Sequence, residues 1–202
     1  ACVPLPYGPR ALARVIRKLK PDLIHSMEFQ HAGYTVLRTK ELLGGETFPI
    51  WLATNWGSDI YYYRRFPDHY QQITRLLKNI DYYSCECNRD VELARDMGMT
   101  ATAMPVFPNT GGFDIAAIFG QRMQHRPSLR RVILVKGYQH FAGRALTALD
   151  ALATCADILA DYRIVLFSTS SPEVVERANE ISKNHHLDIS ILAYSTHAVM
   201  LD

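Results

Sequence analysis

PIWLATNWGSDI, residues Pro49 to Ile60, begins as an apolar run and ends in a burst of hydrogen-bonding side chains. Residues 49–54 read as a short buried strand; Asn, Trp, Gly, Ser and Asp then follow Thr54 in succession, ahead of Tyr61, Tyr62 and Tyr63. A brief continuous apolar run that stops at turn-forming residues and gives way to a helical segment marks a strand buried in a parallel sheet. If the rest of the chain repeats that unit, the fold is α/β. The polar burst is then either a ligand-binding loop or a well-capped turn.

The unit does repeat. Residues 9–20, PRALARVIRKLK, set Leu12, Val15, Ile16 and Leu19 at helical spacing, with Pro9 at the start and Pro21 as the stop. Asp22 to His25 reads as a strand and Ala32 to Leu43 as a helix closed by Gly44-Gly45. Downstream come helical segments at 59–64 and 67–79, a strand from Tyr82 to Cys85, a helix from Arg89 to Met97 ended by Gly98, and a strand around Ala101 to Val106. Residues 121–129 carry no periodic apolar signal and read as a linker. Beyond them lie a strand at Val132 to Val135, a long helix from Gly143 to Tyr162, a strand at Ile164 to Ser168, a helix from Pro172 to His186, a strand at Ile189 to Ala193, and a helix start at Ser195 or Thr196. The pattern predicts two doubly wound, Rossmann-like parallel-sheet units in tandem, residues 1–120 and 130–202, with helices on both sheet faces.

Composition narrows the function classes. The 202 residues are 48% hydrophobic and 21% charged with a formal charge of +2, which is globular and leaves no surplus charge for wholesale nucleic-acid binding. No apolar run approaches the roughly 20 residues that span a bilayer. The four cysteines, Cys2, Cys85, Cys87 and Cys155, lack the spacing of a zinc site and read as thiols of a reducing compartment, so a cytoplasmic protein is expected. Ala1 to Pro6 has neither the charged nor the apolar region of a signal peptide, and the chain reads as an internal piece of a longer one.

Ligands of open parallel sheets bind outside the carboxyl ends of the strands. Those positions hold His25, Ser26, Glu28, Gln30 and His31 after the first strand; Asn55, Trp56, Gly57, Ser58 and Asp59 after the second; Glu86, Asn88, Arg89 and Asp90 after the third; and Pro108, Asn109, Thr110, Gly111 and Gly112 after the fourth. Each also has a plainer reading. Ser58 or Asp59 caps the next helix, Asn88 caps the one after the third strand, His25 is a hydrogen-bonded structural histidine, and the three tyrosines bury two rings instead of offering a stacking platform. In the second unit, Lys136-Gly137-Tyr138-Gln139-His140-Phe141-Ala142-Gly143-Arg144 precedes a long helix. Glycines that admit a phosphate, helix amides and two cations describe a diphosphate cradle; solvated surface charges describe the same residues. Neither the P-loop nor the dinucleotide spacing is present.

Five stretches in order, PDLIHS (21–26), ATNWGSD (53–59), IDYYSCECNRDVELARDMG (80–98), PVFPNTGGFD (105–114) and VILVKGYQHFAGRALTALDAL (132–152), resemble the retaining glycosyltransferases of the two-domain GT-B fold, family four in particular. The resemblance implies sugar transfer from a nucleoside diphosphate sugar to a glycan or lipid-linked acceptor, as in polysaccharide biosynthesis, with no metal or other cofactor. It places His25 and Asp59 at the reacting centre, and Asn55, Trp56, Gly57, Ser58, Glu28, Asn109 and Gly111 around the substrate. Lys136, Gly137, Gly143 and Arg144 fall on the diphosphate. Trp56 stands where many members have histidine, Met27 where a second histidine is common, and Lys136 and Arg144 reverse the usual Arg-then-Lys order. The family's Gly-rich first loop and its closing E-x7-E motif have no counterpart, so both units are expected to be incomplete. A nucleotide-sugar epimerase of the same fold and a non-catalytic sugar- or nucleotide-binding module are the alternatives. The basic helix at 10–20 either meets an anionic membrane surface, at the inner face, or simply solvates its charges.

Overall fold

The structure, a computed structural model, describes residues 8–108, 111–120, 126–169 and 171–192. Asn109 and the helix start expected at Ser195 or Thr196 lie outside the described residues. The chain divides into two compact units, Ala1–Gly112 and Phe113–Asp202. That division comes ahead of the 121–129 stretch, so a short helix the sequence pattern does not announce, Ile115–Gly120, groups with the second unit.

The first unit runs α1 (Pro9–Leu19), β1 (Leu23–Met27), α2 (Tyr34–Leu43), β2 (Ile50–Thr54), α3 (Ser58–Tyr61), α4 (Pro67–Leu77), β3 (Tyr82–Ser84), α5 (Asn88–Asp96) and β4 (Thr102–Ala103). All strands are parallel, in the order β1-β2-β3-β4. Each strand is added on the same side of its predecessor, so right-handed crossovers carry the connecting helices to one face. There Trp51, Ala53 and Tyr83 of the strands are sealed by Leu37, Ile60, Ile73, Leu76 and Ala94 of the helices. On the opposite face Leu23, Met27, Ile50 and Tyr82 remain 37–48% exposed, and no helix covers them among the described residues. The expected cover on both faces is therefore met on one: the strand order never reverses, so the described sheet holds a single winding.

Local chemistry sets the element ends. Pro9 opens α1 at a position that needs no N–H, and Gly44 (φ 59°) and Gly98 (φ 87°) follow α2 and α5 in backbone conformations that suit glycine. Before α2 the chain makes one π-helical turn, Phe29–Gly33, three residues ahead of the expected start. Gly33 is needed in that turn, since a Cβ would meet the Leu76 side chain at 2.6 Å and the Glu28 carbonyl oxygen at 3.2 Å. Asn88, expected to cap α5, is instead its first residue. The cap position belongs to Cys87, whose carbonyl accepts from Asp90 N–H at 3.1 Å and starts the helix one residue early.

The second unit contains α6 (Ile115–Gly120), β5 (Val132–Lys136), α7 (Ala145–Thr154), β6 (Arg163–Phe167), α8 (Pro172–His185) and β7 (Asp188–Ile191), with parallel strands in the order β5-β6-β7. Val135, Ile164 and Leu166 pack under Leu149, Val174, Ala178 and Ile181, while Val132 and Leu134 on the other face are more than half exposed. The long helix expected to reach Tyr162 is divided. After Thr154 the chain tightens into a 3-10 turn, Ala156–Ile158, which tucks Leu159 into the core and lets β6 begin at Arg163.

Candidate functional site

The polar loops of the first unit gather at the carboxyl edge of its sheet, and Ser26, Asn55, Asp59 and Asp90 among them turn inward. Asn55 is fully buried: its Nδ2 donates to Asp90 Oδ2 at 3.1 Å, its Oδ1 accepts from the Tyr83 hydroxyl, and its own N–H donates to Ser84 O at 3.0 Å. Asp59 Oδ2 accepts from the backbone N–H of Trp56 (2.9 Å) and of Phe29 (3.1 Å), while its carbonyl accepts from Gln30 Nε2 at 2.9 Å. It ties the loop after β2 to the loop after β1. Burial pushes the Asp59 carboxyl up to about 6, against the opposing pull of those two backbone donors. Glu28 caps the π-helical turn, accepting from His31 N–H at 2.5 Å and Ala32 N–H at 3.2 Å. Its backbone, at φ 80° and ψ 146°, occupies a region that costs a non-glycine residue roughly 1–3 kcal/mol. The conformation is held because Glu28 N–H donates to Thr54 O and Gly33 N–H donates to Glu28 O.

Other groups face outward. His25 is exposed, with Nε2 2.8 Å from Thr54 Oγ1. Strand alternation and register put His25, Thr54 and Ser84 on one sheet face, where they line a cavity of about 340 Å³ closed by Met104, Phe107 and Gly111. Trp56 is 49% exposed, and Gly57 and the half-buried Ser58 begin the turn into α3. A larger hollow of about 680 Å³ lies at the amino ends of β1 and β2, beside the Arg17–Glu46 ion pair. No residue singled out in the strand-end loops lines it, and parallel sheets bind at the other edge, so the smaller cavity is the candidate.

In the second unit the expected diphosphate cradle is largely filled by the protein itself. A Cβ on Gly137 would lie 2.2 Å from Thr169 Oγ1 and 2.8 Å from Thr169 Cα; one on Gly143 would lie 2.5 Å from Tyr138 O. Both glycines are thus demanded by internal packing. The first α7 amides are spent too, with Ala145 N–H donating to Tyr138 O (3.0 Å) and Leu146 N–H to Gln139 Oε1 (3.2 Å). Lys136 and Arg144 stay exposed, Lys136 Nζ resting 4.1 Å from the centre of the Tyr138 ring.

Sequence reasoning passed over Thr54, Ser84, Met104 and Phe107 as lining groups. The period-two alternation that sets Leu52 and Thr54 on one face was the available signal for the first of them. It also missed that Arg89 and Arg65 both sit against Tyr61, a pairing across separate segments that no local pattern announces.

The sequence matches no family model and no curated protein. Among solved structures, a Listeria monocytogenes protein described as a UDP-N-acetylglucosamine 2-epimerase is 17% identical with a TM-score of 0.59, over 95% of this chain and 51% of that one. S. aureus MnaA in complex with UDP gives 14% and 0.59 over 93% and 52%. A UDP-forming α,α-trehalose-phosphate synthase from Burkholderia xenovorans gives 14% and 0.62 over 96% and 53%. The chain therefore spans about half the length of the solved chains it matches. The likeness is one of fold, two Rossmann-like units in tandem as in GT-B proteins.

Proposed function

We propose that the chain is part of a glycosyltransferase that moves a sugar from a nucleoside diphosphate sugar to a glycan or lipid-linked acceptor, with retention and without a metal. The observation that carries this reading is the cavity at the carboxyl edge of β1 to β3, where His25, Thr54 and Ser84 offer hydrogen bonds from three adjacent strands. The fold adds weight, because it is shared with a UDP-forming synthase and a UDP complex. His25, oriented by Thr54, is the group assigned to the sugar at the reacting end. Asp59 acts through Trp56 and Phe29 as a positioning residue. Lys136 and Arg144 supply the charge that stabilises the departing diphosphate, in place of the α7 amides that the chain already uses.

The same fold serves an epimerase, which needs free carboxylates to move protons. Here Asp59 and Glu28 are both committed to backbone amides, which favours transfer. For a lipid-linked acceptor, the membrane-facing surface would be the exposed basic side of α1, Arg10, Arg14 and Lys18, with Lys20 just after the helix. The test is product analysis with a panel of nucleotide sugars, with and without acceptor, in the full-length protein. We expect His25→Ala to lower turnover about 100-fold or more with an unchanged melting curve, and Lys136→Ala with Arg144→Ala to weaken UDP binding. Unchanged turnover and affinity in these variants would sink the assignment.

A further inference from the structure

The geometry points to a second recognition element on the first unit: an oxyanion site, formed by Arg89 and Arg65 on the ring of Tyr61, that takes a phosphate or carboxylate carried by a sugar. It rests on the acceptor-side reading of this unit and names the class of acceptor. Arg89 is held in place from two directions. Its Nε and Nη2 lie 2.9 and 2.8 Å from Asp90 Oδ1, and Asp90 is wholly buried and itself fixed by Asn55. The Arg89 guanidinium carbon stands 4.1 Å from the centre of the Tyr61 ring, yet 47% of the side chain is exposed. One edge and one face are therefore occupied and the rest of the fork opens to solvent.

Arg65 completes the element. Its guanidinium carbon is 5.1 Å from the same Tyr61 ring and 5.8 Å from Tyr62, and no carboxylate pairs with it among the described residues. Two cations thus share one ring, and the carboxylate that holds Arg89, Asp90, is sealed beneath the surface. Like charges gathered in this way are favourable once an anion joins them, and a planar guanidinium fork matches the two oxygens of a carboxylate or phosphate. Because the Arg89 fork is immobilised before binding, little side-chain entropy is left to lose.

The test titrates the protein with mannose 6-phosphate, glucuronate and unmodified mannose by calorimetry at low and high salt, with UDP titrated in parallel. We expect one anionic sugar to bind at least about ten-fold more tightly than mannose, and raised salt to weaken it. Which of the two binds tells phosphate from carboxylate. Arg65→Ala and Arg89→Ala should each lower that affinity about ten-fold, and Arg89→Lys should not restore it, because the planar fork is lost. Arg65 has no ion-pair partner among the described residues, so its variant separates recognition from folding, and melting curves check the Arg89 variants. Equal binding of mannose, no binding of either anionic sugar, or wild-type affinity in Arg65→Ala and Arg89→Ala overturns the site. Failure of UDP binding or sugar transfer alone would overturn the transferase reading and leave this site standing.

Discussion

The loop after β2 and the loop after β5 both leave the carboxyl edge of a parallel sheet, β2 from inside its sheet and β5 from the edge of its own, and both carry the residue types of a ligand site. They use them differently. In the first unit Asn55 and Asp59 bond sideways, to the loops that follow β3 and β1, and the rim is welded into one body from which His25, Trp56 and Arg89 project. In the second unit the loop folds on itself. His140 and Gly143 exchange backbone bonds, Tyr138 O and Gln139 take the first amides of α7, and the two glycines are filled by Thr169 and Tyr138. A glycine or a helix start marks where an anion could approach only if the protein's own atoms have not arrived first.

The contrast is breakable, beginning with the largest effect. Gly137→Ala forces a methyl group against the backbone and side chain of Thr169, and should destabilise the second unit by about 3 kcal/mol. Amide exchange in β5 and β6 should accelerate while the core of the first unit keeps its protection. If Gly137→Ala is neutral but abolishes nucleotide binding, the glycine serves the ligand, and the two loops are alike after all.

Next comes the weld. Asn55→Ala leaves Asp90 and the Tyr83 hydroxyl short of a buried partner, for a loss of about 2 kcal/mol in denaturant titration. Trp56→Ala, one residue along, should change stability by less than about 0.5 kcal/mol because the ring is half exposed. Equal costs at the two positions would erase the division between inward and outward residues.

A smaller effect follows from Asp59. Burial lifts its carboxyl to about 6, above the ordinary value near 4, so between those pH values the folded protein binds more protons than the unfolded chain. Its contribution is therefore fully present below about pH 4 and is lost as pH rises toward 6. Asp59→Asn should flatten that part of the stability profile measured by denaturant midpoint against pH. A profile in which the Asn variant instead removes a rise with pH would mean that the two backbone donors outweigh burial.

Much of the architecture was legible in the sequence because it is written in short periods. Strands β1, β2, β3, β5, β6 and β7 fall within two residues of their expected bounds, and Pro9, Pro172, Gly44 and Gly98 punctuate as their backbone chemistry requires. The division of the helix after Thr154 was hidden, since an Ala- and Leu-rich run supports helix on either side of the turn. So was the π-helical turn before α2, which depends on Leu76 pressing against Gly33 from another helix.

By itself, then, the sequence determined the α/β alternation, the two Rossmann-like units and the edge at which polar residues collect, all consequences of periodicity and backbone propensity within a few residues. Only the tertiary structure decided which of those polar residues remain available. The partners of Asp59 and Asn55 lie 30 and 35 residues away, and a carboxylate or an amide presents the same oxygens to a neighbouring loop as to a ligand. Residue type states what a group can bond to; the fold determines what reaches it first.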